Sequence, residues 1–157
     1  MPAPIVLSSL TTREAIADAL YRVTIALDTR DAELFQSAWV ESDEIIFDFC
    51  GTESKGVDQI RKSVYDLVAP LDTTHIISNM RIDVKEGEDT ATMTAAAFAQ
   101  HYRGGEGLTP DKKYLLSGSI YDVSLVKDAK DGQWKILRWG ITLNWTEGDL
   151  HYIFGPR

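Results

Sequence analysis

A histidine and an aspartate in this chain have the chemistry to move a proton near neutral pH. His75 stands near the start of Thr73-Thr74-His75-Ile76-Ile77-Ser78-Asn79-Met80-Arg81-Ile82-Asp83, a run with the length and β-branched content of a strand. Period two puts Ile76, Ser78, Met80 and Ile82 on one face and His75, Ile77, Asn79 and Arg81 on the other. An imidazole so placed can face a pocket and titrate near neutrality. The plainer alternative is a histidine satisfied by a local hydrogen bond at a strand end. Asp28 closes a helical pattern beside its core face, and its plainer alternative is a turn carboxylate in water. Other chemistry-bearing residues point nowhere. The histidines at 75, 101 and 151 have no metal-ligand spacing. The lone Cys50 reads as a small core residue in a strand, not a nucleophile. The loop Gly104-Gly105-Glu106-Gly107-Leu108-Thr109-Pro110-Asp111 lacks the ending of a phosphate cradle.

The elements that must hold His75 and Asp28 follow from the pattern. Pro2 and Pro4 keep residues 1–10 as an N-terminal arm. Thr11 and Glu14 form a capping-box signature that opens a helix over 12–28, with Ile16, Leu20, Val23 and Leu27 on one stripe and Ala17, Tyr21, Thr24 and Asp28 on the next. Asp31 caps a second helix, 32–40, which buries Leu34, Phe35, Ala38 and Trp39. Residues 44–50 read as a strand closed by Gly51. A third helix, 58–69, turns Ile60, Val64, Leu67 and Val68 inward and ends at Pro70. The His75 strand follows, then a Gly87-Glu88-Asp89 hairpin turn. Residues 90–103 are rich in alanine, yet alternating threonines and the following glycine-rich loop predict a strand. Its small residues would let something approach the sheet closely. Gln100 and His101 lie on opposite faces of it, so at most one faces a given pocket. Strands over 114–127 and 134–145 are joined at Asp131-Gly132, and the apolar tail through Phe154 is expected to pack. Helices followed by long hairpin-connected strands define an α+β class. A strongly curved mixed or antiparallel sheet wrapped around about three helices would leave a cone with an apolar mouth, a common site for small ligands.

Composition limits the partners. A chain of 157 residues is expected to form one domain, 1–157, with a sizeable core. The formal charge of −8, from 24 acidic and 16 basic residues, argues against nonspecific nucleic-acid binding and against anionic membrane surfaces. It leaves small neutral substrates open. A single cysteine allows no intrachain disulfide and fits a reducing, cytoplasmic compartment. The first ten residues lack the basic region of a signal peptide, and no apolar run approaches the roughly 20 residues of a membrane span.

Four strings carry a resemblance. Ala26-Leu27-Asp28-Thr29-Arg30-Asp31, Thr74-His75-Ile76-Ile77-Ser78-Asn79, Asp131-Gly132-Gln133-Trp134-Lys135-Ile136 and Asn144-Trp145-Thr146-Glu147-Gly148-Asp149, with Ile153-Phe154 after it, stand in the order and spacing of the SnoaL-like branch of the NTF2-like superfamily. Within that branch the chain is similar to scytalone dehydratase and its relatives over about residues 10–155. The resemblance implies an α+β cone with its ligand inside, no metal or organic cofactor, and a homotrimer or homodimer associating through the outer face of the sheet. Trp134, Trp139, Trp145 and the tail are candidates for burial there. It also implies an Asp28–His75 pair that moves protons in a dehydration, cyclisation or isomerisation. Ser119 falls at a pocket serine, and Tyr121 at an asparagine that binds substrate. The family's second pocket histidine falls at Gln100, or at His101 after a one-residue shift. The family's two water-positioning tyrosines are replaced here by Leu27 and Phe49, which leaves Tyr121 or Tyr21 as substitutes. A related polyketide- or terpenoid-derived ring compound is therefore a better expectation than scytalone itself.

On this reading His75 is the base and then the acid, Asp28 orients it, and Tyr121, Ser119 and Gln100 or His101 bond the substrate. Met80, Met93, Phe47, Phe49, Phe98, Trp139 and Ile141 are candidate apolar walls. The rivals are a non-catalytic binding or scaffold member of the same fold and an epoxide hydrolase built on Arg81 or Arg103 between carboxylates.

Overall fold

The computed structural model describes residues 3–155; residues 1–2 of the arm, Pro2 included, lie outside them. Residues 3–10 carry neither helix nor strand. Helix α1 (Thr12–Thr29) begins at a reciprocal capping box: Thr11 accepts from the Glu14 N–H, and the Glu14 carboxylate accepts from the Thr11 N–H at 2.7 Å. Its buried stripe is Ile16, Leu20, Val23 and Leu27. It stops at Arg30, which is left-handed at φ 61° and donates its N–H to the Ala26 carbonyl. Asp31 then caps α2 (Ala32–Ser37) by accepting from Leu34 N–H at 3.0 Å. This helix is shorter than the 32–40 expected. Trp39 has already joined the sheet through a bridge to Ile136. Helix α3 covers residues 57–68 and contains a π-helical turn, Arg61–Tyr65, between Val57–Ile60 and Asp66–Val68.

The sheet is curved, unclosed and mixed. Its strands are β1 (Ile46–Phe49), β2 (Thr52–Lys55), β3 (Asp72–Asp83), β4 (Thr90–Tyr102), β5 (Leu115–Lys127) and β6 (Trp134–Gly148). They lie in the order β2-β1-β6-β5-β4-β3. Only the β1–β6 pair is parallel. Strand β2 was not expected, since Thr52-Glu53-Ser54-Lys55 has no apolar phase to reveal it. The turn before it corrects the reading of Cys50. Cys50 and Gly51 both have positive φ, 51° and 90°, the pattern of a two-residue hairpin turn. Cys50 is thus an exposed turn residue, not a strand core residue. The tail folds into α4 (Leu150–Phe154), capped by Asp149.

The core lies between α1 and the inner face of the sheet. Trp134 and Trp139 belong to it, at 4% and 2% exposed, which corrects their assignment to the outer face. Bulges in β5–β6 at Gly118/Ser119 and Ser124/Leu125 reset the side-chain phase of β6. Trp145 does lie outside, over Gly118, where any Cβ would come within 2.4 Å of the indole.

A bulge also corrects β3. Its register with β4 shifts between Ser78 and Arg81, and Asn79 is left-handed at φ 51°. The extra residue inverts the alternation. His75 and Ile77 face inward before it, and Met80 and Ile82 pack on the core after it. The faces expected for Met80, Ile82, Asn79 and Arg81 are therefore reversed, because asparagine tolerates the left-handed conformation that a bulge needs. Asn79→Ala should cost about 1 kcal/mol in denaturant unfolding, while Asn79→Gly should stay within a few tenths.

Candidate active site

Asp28 sits in the last turn of α1, and His75 enters β3 opposite it. His75 Nδ1 lies 2.6 Å from Asp28 Oδ1. The same carboxylate accepts from the His75 backbone N–H at 2.9 Å and from the Thr73 hydroxyl at 2.8 Å. Burial pushes the Asp28 carboxyl up, but the ring, backbone and hydroxyl donors outweigh it and hold the group below the ordinary carboxylate value. An ionised carboxylate only accepts, so Nδ1 carries the proton. Nε2 is left as a base with no hydrogen bond to the described residues.

A second carboxylate fixes the same corner. Asp72, the first residue of β3, accepts from Arg30 at 2.9 Å and from the backbone N–H groups of Gly105 and Gly107, each at 2.9 Å. It ties the end of α1 and the 103–107 loop to the strand that carries His75.

His75 opens on a cavity of about 390 Å³ bounded by α1, α3, α4 and the inner face of the sheet. This volume is in the range of small-ligand sites. Leu27, Phe47, Phe49, Val64, Trp139, Ile141 and Phe154 supply apolar wall. The polar lining is hydroxyl and imidazole; among the described residues, no Lys, Arg, Asp or Glu lines it.

The structure places the sequence candidates unevenly. His75, His101, Ser119, Tyr121 and Phe49 line the cavity, with Asp28 directly behind His75. Gln100 does not line it, and instead donates to the Tyr102 hydroxyl at 2.7 Å. Tyr21 is also outside, 39% exposed on the solvent side of α1 near Ile25, because Leu20, Val23 and Leu27 take the inward stripe. Of the two proposed substitutes for the missing tyrosines, only Tyr121 reaches the cavity. Its hydroxyl has no hydrogen bond to the described residues, and burial raises its pKa strongly. Phe47, Trp139 and Ile141 are wall residues as expected, whereas Met93 is core, Met80 packs on core, and Phe98 lies on the outer face against Trp145. Ser117, Thr146, Leu150 and Phe154 line the cavity without having been singled out. A signal existed for Ser117: it occupies a core-facing phase of β5 between Leu115 and Tyr121.

His101 is 6% exposed. Its Nδ1 lies 3.3 Å from the Leu115 carbonyl, which only accepts, so Nδ1–H donates and Nε2 is an acceptor. Its ring meets His75 edge-on at 5.5 Å and Phe154 at 5.6 Å. Burial, reinforced by the neighbouring His75, lowers its pKa from 6.5 to about 4. Neutral at pH 7, it offers an acceptor at Nε2. Among the described residues, no group of three or more His, Cys, Asp or Glu is arranged to hold a metal, and no helix is long and apolar enough to cross a membrane.

Helices packed against a curved, unclosed sheet define an α+β fold class, and comparison with known proteins agrees with it. Residues 8–140 match the SnoaL-like domain, and the chain belongs to that family. It is 46% identical over 147 residues to terrestric acid biosynthesis cluster protein E of Penicillium crustosum, covering 94% of this chain and 92% of that protein. In fold it is similar to a candidate scytalone dehydratase from Novosphingobium aromaticivorans, with TM-score 0.73, 23% identity, and 92% and 91% of the two chains covered. It is also similar to a hexachlorocyclohexane dehydrochlorinase from Novosphingobium barchaimii, with TM-score 0.69, 21% identity, and 93% and 95% covered.

The buried neutral His101 makes folding pH-dependent. Between pH 6.5 and about 4 the unfolded chain binds a proton that the folded His101 does not. Its contribution is therefore complete above pH 6.5 and lost as the pH falls toward 4, by about 3 kcal/mol at most. Asp28, with its lowered pKa, loses its contribution only below the ordinary carboxylate value of 3.8. Denaturant unfolding of His101→Gln across this range should show a shallower fall than the parent. Equal slopes would mean that His101 titrates normally in the fold.

Proposed function

We propose that this protein is a cofactor-independent lyase of secondary metabolism, a dehydratase or a related cyclase or isomerase, acting on a polyketide- or terpenoid-derived ring compound through His75 and Asp28. The 2.6 Å contact between His75 Nδ1 and Asp28 Oδ1, with Nε2 left unbonded at an apolar cavity, carries the proposal. The relative from a biosynthesis cluster supports the metabolic setting. Dehydratase and dehydrochlorinase both name eliminations, which supports the reaction class.

In the proposed cycle, Nε2 of His75 takes a proton from the carbon next to a substrate carbonyl. The electron pair moves into an enolate, whose oxygen is held by the hydroxyl of Tyr121 or Ser119. Asp28 stabilises the imidazolium through Nδ1–H. The imidazolium then returns its proton to the departing hydroxyl as the enolate collapses, and water leaves. Neutral His101 adds no charge to oppose the imidazolium.

An epoxide hydrolase is less well supported, since neither Arg81 nor Arg103 lines the cavity and, among the described residues, no carboxylate does. Arg103 instead lies over the Tyr152 ring and donates to its carbonyl at 2.7 Å. A non-catalytic binding protein is the remaining reading. Both are tested by incubation with cyclic hydroxy-ketones in deuterated water, read by mass spectrometry for loss of water or deuterium uptake. The parent should do both on an accepted substrate. His75→Ala should slow them by about 10²–10⁴, and Asp28→Asn should slow them in the same direction, with both variants folded. Full activity of His75→Ala would reject the mechanism, and ligand binding by the parent without exchange would leave a binding protein.

Copies of the chain are proposed to meet on the outer sheet face. With a net charge of −8 they repel elsewhere, whereas Ile76, Phe98, Ile120 and Trp145 form an exposed apolar group there, each at least 40% accessible. Trp145→Glu should convert the assembly to monomer in sedimentation; an unchanged mass would place the interface elsewhere.

A further inference from the structure

The strand register sets a row of inner-face residues across the cavity. His75 on β3 pairs with Ala99 on β4, Ala99 with Ser117 on β5, and Ser117 with Thr146 on β6. All four line the cavity. Adjacent strands stand about 4.8 Å apart, so the His75 and Ser117 backbones are about 10 Å apart. Ala99 puts a single methyl group between them. The gap over that methyl has the width of one ring.

Ser117 is 7% exposed. Its hydroxyl makes no hydrogen bond with the described residues. The chain keeps it at a phase where Leu115, Tyr121 and Val123 face inward. Ser117 opens on the cavity, and a ligand that displaced water there without pairing the hydroxyl would lose about 1–3 kcal/mol, so the serine selects for a ligand oxygen at this place. Thr146, also without a side-chain hydrogen bond, presents a second hydroxyl beside it. Ser119 lies two residues further along β5, about 7 Å away, and faces a different part of the ligand. The charge of that ligand atom follows from the lining. Among the described residues no cationic or anionic side chain reaches the cavity, and an unpaired charge there would be costly.

We infer that Ser117, with Thr146 beside it, is a specificity-determining pair that holds a neutral oxygen substituent on the edge of the substrate ring opposite His75, the ring lying over Ala99. This rests on the acid–base reading of His75 and adds the substrate class: an uncharged ring with a hydroxyl or carbonyl across from the carbon that loses its proton. The proposed roles differ by place. His75 acts on one edge, Tyr121 and Ser119 hold the enolate oxygen, and Ser117 fixes which ring edge faces the base.

The test compares two probes, cyclohexanone and the same ring with a hydroxyl opposite the carbonyl. Affinity is read by NMR titration, and deuterium exchange is read in the same samples. The parent should bind the hydroxylated probe about threefold to tenfold more tightly, the worth of one net hydrogen bond. Ser117→Ala should bring the ratio to about one and keep or raise Tm; a merely structural serine would lower Tm instead. Thr146→Val should reduce the ratio partly, with Thr146→Ser restoring it. Ala99→Leu, which fills the gap, should weaken both probes. Equal affinities in the parent, binding of neither probe, or an unchanged ratio in Ser117→Ala would each overturn the assignment. The two readings fail separately. Exchange that depends on His75 without discrimination between probes overturns the subsite alone. Discrimination with exchange indifferent to His75→Ala overturns the acid–base reading alone.

Discussion

The Asp28 carboxylate is the constraint on which the site depends. It stands in the last turn of α1, where the helix dipole presents its negative end and no basic residue offsets it. An anion there is unfavourable unless donors surround it. The three donors come from Thr73 and His75, so the cost of placing the charge is offset only when β3 docks against the helix end. Folding and site assembly are thus one event. Asp72 repeats the device one turn away, collecting Arg30 and two backbone N–H groups.

The cavity exists because the sheet curves and because β4 lines its inner face with Ala91, Ala95, Ala97 and Ala99. Large side chains there would fill the cone. The lower half of the cone is filled by Leu20, Val23, Trp139 and Val123, which makes the open half a rigid pocket, since packed interiors resist collapse. Bulges give the curvature and reset which side chains face inward on β3 and β6.

Much of this was legible because its signals are local. The capping box, Asp31, Pro70 and the Asp131-Gly132 turn mark their boundaries by chemistry that acts within a few residues. The Asp28–His75 geometry could be raised from the residues and from a family resemblance, but not measured, since it joins positions 47 apart. What escaped was non-local or phase-breaking. Asn79 inverts β3 through one left-handed residue. Strand β2 has no apolar phase and is held by pairing with β1. Trp134 and Trp139 could not be assigned to a face while the bulges of β6 were unknown. Gln100 and His101 stayed undecided for the same reason, and the unbroken β4–β5 register, which pairs His101 with the core residue Leu115, settles their faces.

The replacement of two tyrosines by Leu27 and Phe49 then acquires a spatial consequence. Both residues line the cavity, and neither can hold water or a carbonyl oxygen. Across the cavity, the Ser63 hydroxyl of α3 is already spent on the Gln59 carbonyl at 2.9 Å. Ser117, Ser119 and Tyr121, evenly spaced along β5, carry cavity-lining hydroxyls without a hydrogen bond to the described residues, and Thr146 of β6 stands beside Ser117. The register of β5 with β4 is unbroken here, Ser117 pairing with Ala99, Ser119 with Ala97 and Tyr121 with Ala95. A ring bound here must turn its oxygens toward β5 and its apolar face toward Val64, Leu67 and Val68 of α3. On the proposed reading, β5 with Thr146 beside it sets both where the enolate charge is held and which ring edge meets His75, so a change of substrate oxygenation pattern would be met there while leaving the Asp28–His75 pair untouched.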